Sequence, residues 1–308
     1  MTRILLDCDP GHDDAIAIML ALASPEVELV GVSTVAGNQT IERTTANAIR
    51  VLDHLGRFDV PVARGAGRPL VRERRVAADV HGETGLDGSE LPEAAREPID
   101  AHAVDWLART LAAEAEPATI VATGPLTNVA LLLALHPDHE ARIARVVLMG
   151  GAIGEGNVTP AAEFNMWADP EAAYRVFSSD LDVTMVGLDV THRALLRADD
   201  VQRLAAGGPA GQLAARLYGF YTRFHRGRYG WDGAPVHDAV ALAHVIDPTL
   251  LHLVDCGVVV DTGPDLSRGR TYVDRWGAAG WAPRHRVAVD VDASRLLDLI
   301  VQRIAALH

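Results

Sequence analysis

Four carboxylates stand within eight residues near the amino terminus, between Asp7 and Asp14. Asp7 and Asp9 follow an apolar run and Asp13 and Asp14 precede a second one, so the segment is expected where a strand turns into a helix. One helix start needs one capping residue, which leaves the other acids unexplained. Carboxylates that converge at a buried strand end repel one another unless a cation lies among them. The spacing therefore predicts a site for a hard divalent cation with oxygen ligands.

A second, distant pair of residues could complete this site. His237 and Asp238 stand side by side at the start of an apolar helical run. A carboxylate oxygen is a suitable ligand for a hard cation, so this pair could supply a further group to the predicted site. Each acid also has a structural alternative, in which Asp13 or Asp238 caps a helix and Asp14 favours the helix dipole.

Composition excludes several classes of function. The chain has 308 residues, 49% of them hydrophobic, and a formal net charge of −13. Nucleic-acid binding draws on lysines and arginines that neutralise phosphates, so we expect no nucleic-acid partner. No apolar run approaches the roughly 20 residues that cross a bilayer, and we expect no signal peptide before the first strand. The two cysteines, Cys8 and Cys256, fit no metal-ligand spacing, and we expect a cytoplasmic protein in a reducing compartment.

The elements that must position these residues follow a βαβ rhythm. Strands are predicted at 4–8, 27–36, 60–64, 119–123, 145–149, 183–188, 258–261 and 287–291, and helices at 14–23, 40–55, 101–115, 128–135, 170–177, 198–206, 212–225, 237–246 and 293–306. No repeat or low-complexity linker interrupts them. We therefore predict an α/β fold in which residues 1–308 form a single domain with a mostly parallel central sheet flanked by helices.

Such a sheet binds ligands outside the carboxyl ends of its strands. Asp9 follows the first predicted strand and Asn38 the second, while Thr123 closes the fourth and Asp189 follows the sixth. These polar residues are therefore expected to meet at one edge of the sheet.

The segment Asp7-Cys8-Asp9-Pro10-Gly11-His12-Asp13-Asp14-Ala15 resembles the signature of the nucleoside hydrolases, the inosine-uridine-preferring family. Further similar segments follow in order along almost the whole chain, including Thr123-Gly124-Pro125-Leu126-Thr127-Asn128, Ala162-Glu163-Phe164-Asn165 and His237-Asp238. The resemblance implies a nucleoside substrate, a bound Ca²⁺ ion, and a homo-oligomer that is a dimer or tetramer.

The resemblance also implies roles for individual residues. The calcium ligands would be the carboxylates of Asp9, Asp14 and Asp238 with the main-chain carbonyl of Thr123. The groups that hydrogen-bond the ribose hydroxyls would be Asp13, Asn38, Asn157, Glu163 and Asn165.

The same resemblance implies a mechanism. Asp9 would act as general base towards a water held by calcium, which attacks the sugar directly without a glycosyl-enzyme. His237 would assist the leaving base, with His81 as the second candidate. The segment from Val80 to Gly88 resembles the pyrimidine-preferring branch, and His225 and Tyr229 would also contact the base. His225 stands where those relatives tend to carry glutamine.

Three alternatives remain at this point. Asp7-Cys8-Asp9 also resembles the opening of haloacid-dehalogenase phosphotransferases, but Gly11 stands where that motif has threonine or valine. A calcium- or nucleoside-binding protein without turnover would keep the fold. Within the hydrolases, a purine-preferring or broad-specificity enzyme is the competitor, and the base pocket discriminates between them.

Overall fold

The computed structural model describes residues 1–308. Its strands are β1 Thr2–Cys8, β2 Val27–Thr34, β3 Val62–Arg64, β4 Ala118–Ala122, β5 Ile143–Met149, β6 Val183–Val186, β7 Leu195–Arg197, β8 Gly233–Pro235, β9 Leu251–Val260, β10 Thr271–Asp274 and β11 His285–Val291. Its helices are α1 His12–Ala23, α2 Ile41–His54, α3 Ala78–His81, α4 Ala103–Ala113, α5 Thr127–Leu135, α6 Phe164–Ala168, α7 Pro170–Phe177, α8 Leu188–Thr191, α9 Ala198–Ala205, α10 Pro209–Tyr229, α11 His237–Ile246 and α12 Ala293–Ala305.

Nine strands form one sheet in the order β10-β9-β11-β6-β5-β4-β1-β2-β3. All neighbours pair in parallel except β9, which runs antiparallel to both β10 and β11. Strands β7 and β8 form a separate antiparallel pair. The predicted α/β fold with a mostly parallel central sheet is thus confirmed.

The central strand β1 is buried on both faces, as its continuous apolar run predicts. Ile4 and Leu6 belong to one hydrophobic core cluster and Leu5 to the other, because successive side chains point to opposite faces of a sheet. Helix α1 packs in the first cluster and α5 in the second. The chain therefore leaves β1 and β4 towards opposite faces, and this switch point opens a crevice at their carboxyl ends.

Several predicted element boundaries are wrong in detail. The strand predicted at 183–188 ends at Val186, because the chain turns there into α8. The strand predicted at 258–261 is the end of the longer β9. Strands β7, β8 and β10 were not predicted. No helix of the chain combines the length and apolar character that a membrane span requires.

Candidate active site

The carboxylate of Asp9 lies in the crevice between β1 and β4. Its Oδ2 accepts a hydrogen bond from the backbone amide of Asn38 at 2.6 Å, whereas its buried Oδ1 has no partner. Gly37 and Gly124 flank it so closely that a Cβ on either would lie 2.1 Å and 2.7 Å, respectively, from one of its oxygens. Asp9 is therefore held in one place, with one oxygen free.

Asp14 holds the loop after β1 in shape. Its Oδ1 accepts from the amide of Asp9 at 3.2 Å and from Thr123 Oγ1 at 2.9 Å. Its Oδ2 accepts from the amide of Gly11 at 2.9 Å and from Asn38 Nδ2 at 3.1 Å. Helix α1 begins after Gly11, two residues earlier than predicted, so Asp13 is not its capping residue.

Asp13, Asp14 and Asp238 form a buried acidic cluster in which the ligand oxygens all lie within 4.8 Å of one another. Burial, and then the nearby carboxylates, raise the pKa of Asp13 and Asp238 well above the ordinary value. The pKa of Asp9 is raised in the same way, by burial and then by Asp14. Asp13 Oδ1, like Asp9 Oδ1, is buried without a hydrogen-bond partner. An all-oxygen set with free lone pairs fits a hard cation.

The cluster differs in one respect from the predicted ligand set. Asp13, expected at the ribose, lies within it, and Asp9 lies beside it. The carbonyl of Thr123, a predicted ligand, accepts a hydrogen bond from Asn165 Nδ2 at 2.8 Å and keeps a second lone pair. Asp7, whose role the sequence leaves open, accepts hydrogen bonds at its Oδ1 from Ser33 Oγ and Asn128 Nδ2.

A cavity of about 380 Å³ opens above these carboxylates. It is large enough for a small ligand. The predicted site residues that line it are Asp13, Asn38, His81, Thr123, Asn157, Glu163, Asn165, His225, Tyr229, His237 and Asp238. Asp9 and Asp14 are fully buried and do not line the cavity.

The polar groups on one wall are fixed by the backbone. Glu163 caps α6 and accepts from the amides of Asn165 and Gly151, each at 2.9 Å. Burial raises the pKa of Glu163 to about 7. Asn157 Oδ1 accepts from the amide of Phe164 at 3.0 Å. The side chain of Asn157 uses Oδ1 in this contact, and that of Asn165 uses Nδ2 to donate to the carbonyl of Thr123. Asn157 Nδ2 and Asn165 Oδ1 therefore stay available for a ligand.

The opposite wall is built from histidines and aromatic rings. His81 stacks on Tyr221 at 5.3 Å between ring centroids and on His12 at 5.4 Å. His12 Nδ1 lies 3.2 Å from His81 Nδ1, and His12 Nε2 lies 2.9 Å from the carbonyl of Asp87. Burial lowers the pKa of His81 well below its ordinary value and that of His12 to about 4. Both imidazoles are therefore neutral near pH 7.

His237 and His225 also line the cavity. His237 Nδ1 is 2.7 Å from Thr191 Oγ1, and burial lowers the pKa of His237 well below its ordinary value. Burial likewise lowers the pKa of His225 to about 4, and its Nδ1 is 3.1 Å from the carbonyl of Tyr221. Tyr229 ends α10 at the cavity mouth and stacks on His225 at 5.8 Å.

Several cavity residues were missed by the sequence analysis. They include His192 and Tyr221, as well as Trp167, Arg75 and Arg228. The residue singled out after the sixth strand, Asp189, instead accepts from the amides of Ile153 and Gly154. Its position three residues before His192 was the one signal that could have pointed to that histidine.

Comparisons with known proteins agree with this arrangement. Residues 4–298 match the model of the family described as inosine-uridine preferring nucleoside hydrolase. The pyrimidine-specific ribonucleoside hydrolases RihA of Escherichia coli O9:H4 (strain HS) and of Shigella sonnei (strain Ss046) are each 50% identical to the chain, over 98% of this chain and 97% of the relative.

Two solved structures share the whole fold. A plant nucleoside hydrolase, the PpNRh1 enzyme, superposes with a TM-score of 0.95 at 33% identity, covering 99% of each chain. A purine-preferring ribonucleoside hydrolase from Gardnerella vaginalis superposes with a TM-score of 0.92 at 34% identity, covering 99% of this chain and 98% of that one. The chain therefore belongs to the inosine-uridine preferring nucleoside hydrolase family and is a hydrolase that acts on N-glycosyl bonds.

Proposed function

We propose that this protein is a calcium-dependent ribonucleoside hydrolase that prefers pyrimidine nucleosides and releases ribose and the free base. The observation that carries the proposal is the cavity itself, which has a buried acidic cluster at its floor and neutral histidines along one wall. Acidic groups under the sugar favour the positive charge that develops there. The neutral histidines could donate hydrogen bonds to the base as it takes up the electron pair of the broken bond.

Calcium is proposed because the candidate ligands are all oxygens. Asp9, Asp14 and Asp238 with the carbonyl of Thr123 would hold the ion, and Asp13 is close enough to join them. When bound, the ion would neutralise the crowded carboxylates, lower the pKa of a water molecule and polarise it.

Asp9 is proposed as the general base. Its Oδ2 is anchored by the amide of Asn38, so its free Oδ1 can take a proton from water without the side chain moving. The water oxygen then bonds to the anomeric carbon as the N-glycosidic bond breaks, and no glycosyl-enzyme forms.

The ribose would be held by Asp13, Asn38, Asn157, Glu163 and Asn165, all of which line the cavity. Carboxylate and amide groups suit this task because a sugar hydroxyl both donates and accepts. A deoxyribonucleoside would leave some of these buried groups without partners, so ribose should be strongly preferred.

His237 is proposed to assist the departing base, and His81 is the second candidate. His237 Nδ1 faces Thr191, which leaves Nε2 for the cavity. His225 and Tyr229, at the end of α10, would contact the base itself.

Pyrimidine preference is proposed from the RihA relatives, which are named as pyrimidine-specific and are 50% identical to this chain. A purine-preferring enzyme is the second candidate, because the Gardnerella vaginalis hydrolase shares the fold at 34% identity. We further propose a homodimer or homotetramer that works in the cytoplasm, where both buried cysteines stay free.

Release of free base from uridine, cytidine, inosine and deoxyuridine by the calcium-loaded protein tests this proposal. Faster turnover of uridine and cytidine than of inosine supports it, with deoxyuridine slower by several orders of magnitude. Faster turnover of inosine moves the preference to purines. No release from any ribonucleoside, with uridine still bound, leaves a nucleoside-binding protein without turnover.

A further inference from the structure

Thr191 contacts His237 from behind the cavity wall. Thr191 is the last residue of α8 and is fully buried, and its Oγ1 lies 2.7 Å from His237 Nδ1. Neither the acidic cluster nor the cavity lining includes Thr191. Its hydroxyl therefore touches the proposed reaction only through the imidazole ring.

The hydrogen-bond partners decide which way this bond runs. His237 Nδ1 is the sole hydrogen-bond partner of the Thr191 hydroxyl. If that hydroxyl accepted a hydrogen bond from Nδ1–H, its own O–H would be buried without an acceptor, which is destabilising. The hydroxyl therefore donates to Nδ1. A neutral imidazole that accepts at Nδ1 carries its single proton on Nε2.

The backbone around Thr191 is tied to the backbone around His237. The amide of Val236 donates to the carbonyl of Ala194 at 3.0 Å, and Leu195 pairs with Pro235 between β7 and β8. The ring of His192 packs edge-on against the ring of His237 at 5.5 Å. These contacts join the segment that carries the hydroxyl to the segment that carries the imidazole.

We propose that Thr191 is a positioning residue that fixes the tautomer of His237, so that Nε2–H points into the cavity and donates to the departing base. This inference rests on the proposed hydrolase function. As the N-glycosidic bond breaks, its electron pair passes to the base, and the hydrogen bond from Nε2–H stabilises the negative charge that develops there. The reverse tautomer would present a lone pair to the same electrons and would repel them.

Two variants separate the hydroxyl from the space it fills. Thr191→Val keeps the shape of the side chain but removes the hydrogen bond, and Thr191→Ser keeps the hydrogen bond. Each is assayed with uridine and with 4-nitrophenyl β-D-riboside, whose phenolate leaves without a proton. We expect Thr191→Val to lower kcat for uridine about 10- to 100-fold with little change in KM, and to hydrolyse the nitrophenyl riboside within about threefold of wild type. Thr191→Ser should turn over uridine at nearly the wild-type rate.

Equal losses on both substrates, or no loss on uridine, would overturn the role of Thr191. A wild-type protein inactive on both substrates would overturn the proposed function itself and this role with it. The ¹⁵N NMR signals of the His237 ring in the wild-type protein, assigned by their absence in His237→Asn, provide a test that needs no Thr191 variant to fold. A protonated Nε2 with an unprotonated Nδ1 is expected, and a proton on Nδ1 contradicts the inference.

Discussion

Replacing Gly37 by alanine should displace the proposed general base without replacing any charged residue. A Cβ on Gly37 would lie 2.1 Å from Asp9 Oδ2 and 2.7 Å from Pro125 Cδ. An ordinary contact begins at 3.4 Å, so the carboxylate must move by about 1.3 Å. That shift breaks its 2.6 Å hydrogen bond from the amide of Asn38. A misplacement of about 1 Å reduces catalysis by about 10²-fold, and we expect kcat for uridine to fall by that factor.

Steady-state release of uracil at saturating calcium measures this effect, and thermal melts check that the variant is folded. Gly219→Ala is the matched control, because Gly219 lies in the exposed part of α10 and its Cβ would meet no heavy atom within 4 Å. The control should keep wild-type kcat and gain about 0.5–1 kcal/mol of stability from the added helix propensity. A folded Gly37→Ala enzyme with kcat within threefold of wild type would refute the proposed role of the Asp9 position.

Three further outcomes are expected. Calcium at 100 times its Kd should raise the free energy of unfolding by about 2.7 kcal/mol, and Asp238→Asn should remove most of this gain. Equal melting temperatures with calcium and with chelator would contradict the proposed calcium site. Because the pKa of Glu163 is raised to about 7 in the fold, the folded state keeps a proton that the unfolded chain loses above about 4.5. In chelated protein the stability from this group is therefore lost as the pH rises from about 4.5 through 7, by about 3 kcal/mol, and urea unfolding of Glu163→Gln should show a flatter pH dependence. Tyr229→Ala should raise KM for uridine about tenfold with kcat nearly unchanged, whereas a fall in kcat alone would place Tyr229 away from the base.

Much of the fold could be predicted because buried parallel strands produce short apolar runs that can be recognised locally in the sequence. The apolar runs of β1 and α11 are set by burial and can be identified within a few residues. Strands β7 and β8 have three residues each, which is too short for periodicity to be recognised. Their pairing joins Leu195 to Pro235, and contacts so far apart along the chain depend on the tertiary fold.

The acidic part of the site was also predictable, because Asp9, Asp13 and Asp14 stand in one short segment and need a physical reason to converge. The aromatic wall was not, since Tyr221 lies on α10 and His192 directly follows α8, and their places in the cavity depend on packing against distant elements. For the same reason, the sequence could not show that Asp13 rather than Asp9 belongs to the tight acidic cluster. Residue types can indicate a cation, but the distances between oxygens are fixed only when α1 and α11 pack together.

Uridine hydrolysis by wild type and by Asp9→Asn, each with calcium and with chelator, tests the central claim most directly. Asparagine can still accept the hydrogen bond from the amide of Asn38, so the variant should fold and bind uridine. It should lack only the carboxylate that acts as general base. We expect wild-type activity that chelator abolishes and calcium restores, and an Asp9→Asn activity lower by about 10³-fold. An Asp9→Asn enzyme that hydrolyses uridine within tenfold of wild type would contradict the assignment of Asp9 as general base.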